Sequence, residues 1–178
     1  MEPVRCSIKL QVVTATAVFA VSVVAGGLFV LRYPAAVWQD SPVVAASPGS
    51  VLPNPPRYEW RANERTVVLA MHVGCPYCED SIEFYERLSA LERSRAITAH
   101  VVAVFPESAV DIRRALAGRL SAVQTLQRVD LRRLRVVATP TVMLVNSQGR
   151  VLNVWVGQLS PSGEAAVIKA AAAHQPPF

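Results

Sequence analysis

Two cysteines separated by two residues, Cys75-Pro76-Tyr77-Cys78, follow an apolar run and precede a helical pattern. In a first helical turn that spacing brings the two sulfurs within disulfide reach. The outer one, Cys75, then faces the unpaired N–H groups that open the helix. Such groups favour a thiolate and lower a thiol pKa from about 8.5 into a range of roughly 3.5–7.5. A thiolate attacks a disulfide in line and leaves a mixed disulfide, which a second thiol within reach resolves. Cys78, one turn deeper, is placed to be that second thiol. The chemistry on offer is thiol–disulfide exchange, with no cofactor beyond the redox-active disulfide itself.

Half a zinc site has the same spacing, but zinc needs four protein ligands, or three and a water. The other candidate ligands are His72, His100 and Cys6, and the sequence holds no second CxxC, so no metal is expected. His72, three residues ahead of Cys75, is a modulator of the thiolate if its ring turns toward the pair; a hydrogen bond at the strand edge is its other reading. Pro76 and Tyr77 are exposed by position and are candidate substrate contacts. Glu79 and Asp80 read as solvated acids of a helix start.

These residues need elements to hold them. Residues 66–73, TVVLAMHV, form a nearly continuous apolar run that predicts a strand buried on both faces. A helix is expected over 79–93, where Phe84, Leu88 and Leu91 recur at helical spacing. Residues 99–105 read as a second strand, 108–120 as a basic helix and 141–145 as a third strand. Asn146-Ser147-Gln148-Gly149 is a turn signal, with 150–156 as the hairpin partner. Ser160-Pro161 is a cap followed by proline at the first helical position, opening a helix that the alanine-rich run 164–173 completes. The order predicts an α/β fold: a mixed β-sheet flanked by helices.

With Cys75-Pro76-Tyr77-Cys78 between a strand and a helix, and Thr139-Pro140-Thr141 just before a later strand, residues 66–173 resemble the thioredoxin-like superfamily. The stretch 140–151 and the later Gly157-Gln158-Leu159-Ser160 look like the C-terminal half of such a domain. The resemblance implies a cis peptide bond at Pro140, packed against the cysteine pair. It also implies that the Thr139 backbone pairs with an extended substrate segment while the Pro140 ring keeps metal off the thiols. The chain departs from the pattern in places. Gly74 replaces the tryptophan that usually precedes the first cysteine, and Leu69 stands where thioredoxins bury an acid. The 65 residues from Cys75 to Pro140 imply an inserted helix around 108–129.

The rest of the chain bears on location. Of 178 residues, 52% are hydrophobic and 17% charged, too apolar for an ordinary soluble domain. The excess sits at residues 10–31, which carry no charge; as a helix they reach roughly 33 Å, enough for a ~30 Å hydrocarbon core. Arg5 and Lys9 precede this segment and Arg32 comes after it, which places the N-terminus in the cytoplasm. The expected organisation is a cytoplasmic N-terminus (1–9), a transmembrane signal anchor (10–31), a proline-rich linker (32–57) and a thioredoxin-like domain (58–178).

That domain is expected on the periplasmic side of the inner (cytoplasmic) membrane. Its expected partners are protein substrates with thiols or disulfides and a membrane electron donor or acceptor. The net charge of +5 and the arginines of 113–135 suggest a solvated face or attraction to anionic headgroups; without interleaved aromatics or a recognition module, nucleic acid is not expected. The activity expected is protein-disulfide reduction, with a disulfide-forming oxidant and a redox-silent binding module as the alternatives.

Overall fold

The computed structural model of the chain describes residues 44–173. The apolar segment 10–31, Cys6 and the first half of the proline-rich stretch lie outside the described residues. Among the described residues, no helix is long and apolar enough to cross a membrane.

Among the described residues the sheet has five strands in the order β3-β2-β1-β4-β5. β1 (Arg65–Ala70) is central, with every residue buried. It runs parallel to β2 (His100–Val104), and β2 parallel to β3 (Gln124–Leu126). On its other side β1 pairs antiparallel with β4 (Thr141–Asn146), which forms a hairpin with β5 (Val151–Val156). A strand with two partners and both faces covered tolerates apolar side chains throughout, which explains the run TVVLA. Alternate residues feed two cores. Val67, Leu69 and Met71 pack with Ile82, Phe84, Tyr85, Leu88, Ile112 and Val167 from the helices. Val68 and Ala70 face the other way, toward Tyr58, Trp60, Leu134 and Met143.

The helices are α1 (Pro76–Asp80), α2 (Ile82–Arg93), α3 (Ala109–Leu116) and α4 (Pro161–Ala172). The single helix expected over 79–93 is thus two, and it begins earlier. Ser81 breaks it: its hydroxyl donates to the Tyr77 carbonyl at 2.7 Å, an i−4 bond of the kind that bends helices. Arg65, buried in β1, donates to the Ala170 carbonyl at 3.0 Å and to the Thr98 hydroxyl at 2.7 Å, tying the last turn of α4 to the sheet.

Two further regions differ from the sequence reading. The inserted helix expected around 108–129 ends at Leu116, because Ala117 and Leu120 take left-handed φ values of 49° and 56°, with Gly118 between them at 89°. Beyond this turn the chain enters edge strand β3. The second difference is the stretch from Val44 to Arg57, read from composition as linker. Leu52 is buried with Tyr58 and Trp60 in the second core, and Leu52 N–H donates to the Gly149 carbonyl at 2.8 Å. The Trp60 indole in turn donates to the Leu52 and Pro53 carbonyls at 3.2 and 3.1 Å. A boundary at Tyr58 falls inside this packing.

Gly149 shows how close that segment lies. Its φ is +75°, and an added Cβ would stand 2.6 Å from the Leu52 carbonyl oxygen and 2.7 Å from Trp60 Cδ1. Gly149→Ala is expected to cost about 2 kcal/mol or more, from the left-handed backbone and the overlap together. Thermal unfolding followed by circular dichroism should show a fall of roughly 5–10 °C; an unchanged midpoint would mean that the segment 44–57 contributes little there.

Candidate active site

β1 ends at Ala70, and the chain passes through Met71 to Gly74 (φ +77°) to reach Cys75 at the N-cap of α1. Pro76 sits at the first helical position, where a missing N–H costs nothing. Both cysteines are free thiols. Cys75 is half-buried and accepts a hydrogen bond from the Cys78 N–H at 3.3 Å, while its own thiol donates to the Thr139 carbonyl at 3.5 Å. Cys78 is 1% exposed and borders a small gap shared with Met71, Ile82, Phe105 and Leu116.

These surroundings separate the two thiols. Burial works against ionisation of Cys75, but hydrogen bonding with the Cys78 and Thr139 side chains and from the backbone N–H groups of Cys78 and Tyr77 outweighs it, so its pKa lies below the ordinary thiol value. Burial dominates at Cys78, and the neighbouring Cys75 sulfur adds to it, so that thiol is pushed up to about 12. At neutral pH the outer sulfur is the better nucleophile and the inner one holds its proton. Tyr85, buried against the same core, is also raised by burial and stays a neutral phenol.

Thr139 and Pro140 come from the loop before β4, and the peptide bond between them is cis. Pro140 is buried and Thr139 half-buried. The Pro140 carbonyl accepts from the Gly157 N–H at 2.7 Å, fastening this loop to the end of β5. Tyr77 is 61% exposed and Pro76 is exposed. The site thus gathers Cys75, Cys78, Thr139 and Pro140, with Tyr77 and Pro76 on its rim. His72 turns elsewhere: its Nδ1 lies 2.8 Å from the Val73 carbonyl and 3.0 Å from Glu107 Oε1. His100 is distant in bonding as well, engaged by Glu92 and Gln124.

Sequence reasoning missed three residues here. Glu107 lies just past β2, and its Oε1 accepts the Val73 N–H at 3.0 Å, bracing the loop that delivers Cys75. Its other oxygen is buried without a partner. Nothing in the spacing joins Glu107 to Cys75 across 32 positions; only the parallel pairing of β1 and β2 does. Val137 and Val156 are each 56% exposed. Val137 lies two residues before Thr139, and Val156 pairs with Thr141, the residue after the cis-proline.

Comparison with known proteins agrees with this architecture. A family model described as a thioredoxin-like domain matches residues 61–172. No match was found among curated proteins. Among solved structures, a Chlorobium tepidum protein assigned as thiol:disulfide interchange protein DsbE is 20% identical with a TM-score of 0.58, covering 72% of this chain and 100% of its own. The thioredoxin domain of a Bacteroides vulgatus thiol-disulfide oxidoreductase is 14% identical with a TM-score of 0.54, covering 72% and 100%. A Thermus thermophilus thio-disulfide isomerase is 15% identical with a TM-score of 0.51, covering 73% and 100%. At such identities the likeness concerns the fold. Since the matched span takes in the whole sheet, the CxxC turn and the cis-proline loop, the chain belongs to the family of thioredoxin-like domains.

Proposed function

We propose that the chain is a membrane-tethered thiol–disulfide oxidoreductase that uses Cys75 and Cys78 to reduce extracytoplasmic protein disulfides. The observation that carries this reading is the split between the thiols: a reachable Cys75 with lowered pKa stands over a buried Cys78 near 12. The exchange runs in two steps. The Cys75 thiolate attacks one substrate sulfur, forming an inter-protein S–S bond while the other substrate sulfur leaves as a thiolate. Cys78 then gives up its proton and attacks Cys75, forming the Cys75–Cys78 disulfide and releasing the second substrate sulfur. Two electrons pass to the substrate, and a thiol donor in the membrane returns them to the pair.

The backbone of Thr139, a half-buried residue beside Cys75, is suited to receive an extended substrate segment, with Tyr77, Val137 and Val156 as apolar contacts. The tether is supported by the uncharged segment 10–31. At Cys75 burial opposes ionisation and limits how far the thiolate, and with it the reduced form, is favoured. The bonds to its sulfur push the other way, which keeps a disulfide-forming oxidant as the second reading. Equilibration with redox buffers and subsequent thiol trapping decide between them. A potential near about −270 mV is expected for the reductant, and one near about −120 mV would reverse the direction.

A further inference from the structure

The outer edge of β3 is bordered by two clefts of about 640 and 600 Å³. Ala109, Thr125 and Gln127 line both, so together they make one elongated groove beside the start of α3. Arg113 and Arg119 line one half and Arg57 and Arg128 the other, and no acidic side chain lines either. Two carboxylates stand behind the lining, Asp111 accepting from the Ser108 hydroxyl and Glu86 from the Leu120 N–H, against four arginines within it, while Glu107 accepts from the Val73 N–H. Arg57 and Arg128 are also held in left-handed conformations, with φ of 62° and 54°.

Among the described residues, β3 pairs only with β2. The Leu126 carbonyl accepts the Phe105 N–H at 2.9 Å, so the Leu126 main chain faces β2. In a parallel ladder alternate residues face opposite ways, and the N–H and carbonyl of Thr125 therefore face the groove. We propose that this edge docks an extended, acidic segment of a partner protein as an added strand. The partner's backbone bonds Thr125, and its carboxylates reach the four arginines. Free edges normally invite indiscriminate pairing, and here the arginines repel basic segments and admit acidic ones. A lipid surface would satisfy the charges but not the main-chain groups of a concave groove.

The groove also reaches toward the thiols. Arg128 N–H donates to the Glu107 carbonyl at 3.0 Å, and the Glu107 side chain holds Val73, two residues before Cys75. The docking goes beyond the exchange reaction and stands without it.

The test uses the full chain in detergent and a fluorescein-labelled eight-residue peptide of alternating Glu and Val, read by polarisation. Saturable binding is expected, weakened about tenfold by Arg113→Glu with Arg128→Glu and left unchanged by Arg95→Glu. The matching Lys–Val peptide should not bind. An acidic peptide methylated at alternate backbone nitrogens should bind about tenfold more weakly, a comparison that leaves the protein untouched. Equal binding by wild type and the double variant, equal binding of the methylated peptide, or no binding at all would overturn the proposal. So would an arginine dependence seen only with phosphatidylglycerol vesicles. Insulin reduction on the same samples keeps the two readings apart: turnover without peptide binding overturns the docking alone, and peptide binding without turnover overturns the exchange alone.

Discussion

Cys75→Ser is expected to abolish disulfide reduction, with a loss on the order of a thousandfold or more, because the attacking sulfur is gone and no other described thiol is accessible. Cys78→Ser should behave differently. Its Cys75 remains half-buried at the N-cap and can complete the first attack, but the mixed disulfide then has no resolving thiol. Turnover falls by a similar factor, while a covalent adduct with the substrate accumulates. Insulin reduction by dithiothreitol reads the first effect, and non-reducing electrophoresis with mass spectrometry reads the second. The asymmetry arises from burial: Cys78, 1% exposed, cannot meet a protein disulfide before the pair has opened one. Adducts that form on Cys78 in the Cys75→Ser variant, and not on Cys75 in the other, would reverse the assigned roles.

How much of this was legible in the sequence depended on whether local spacing carried the information. The Cys75–Cys78 turn is local: an i, i+3 pair, a proline at the first helical position and an apolar strand ahead of it specify the geometry between them. β1, β2 and β4 were likewise readable, because burial on both faces leaves a mark on nearly every residue; β5 followed from the turn signal before it and α4 from its cap and alanine-rich run. β3 was not. It has three residues, two of them exposed, and it is a strand only because β2 offers an edge. The leucine and valine spacing over 116–123 resembles a continuing helix, and the left-handed turns at Ala117 and Leu120 leave no trace in residue type. Prolines 53, 55 and 56 read as extended linker; what composition could not reveal is that Leu52 and Trp60 anchor the stretch over the second face of the sheet. Glu107 is brought to the cysteine loop, and Val156 to the cis-proline loop, by pairing across the sheet, which one sequence alone does not encode.

The opposite shifts at the two thiols give the reduced protein a stability that rises and then falls with pH. Cys75 has a folded pKa below its unfolded value, so between the two the unfolded chain binds more protons and stability climbs as pH rises toward about 9. Cys78 has a folded pKa near 12, above its unfolded value, so the unfolded chain binds fewer protons from about pH 9 upward. Its contribution is present below about pH 9 and is lost as pH climbs toward 12. Urea unfolding of the reduced full chain at a series of pH values should therefore show a maximum near about pH 9 and a decline above it. Oxidising the pair removes both ionisations and should flatten both limbs. Cys78→Ala should remove the alkaline limb and, by taking away a bond that lowers Cys75, weaken the acidic one; Cys75→Ser should remove the acidic limb and, by taking away a neighbour that raises Cys78, weaken the alkaline one. Alkylation of Cys75 by iodoacetamide gives the kinetic counterpart: its rate should fall about tenfold per pH unit once the pH drops below the thiol's pKa. A midpoint at or above the ordinary thiol value would show that the bonds from the Cys78 and Tyr77 backbone do not outweigh burial. The nucleophile assigned to this site would then be mostly protonated under working conditions.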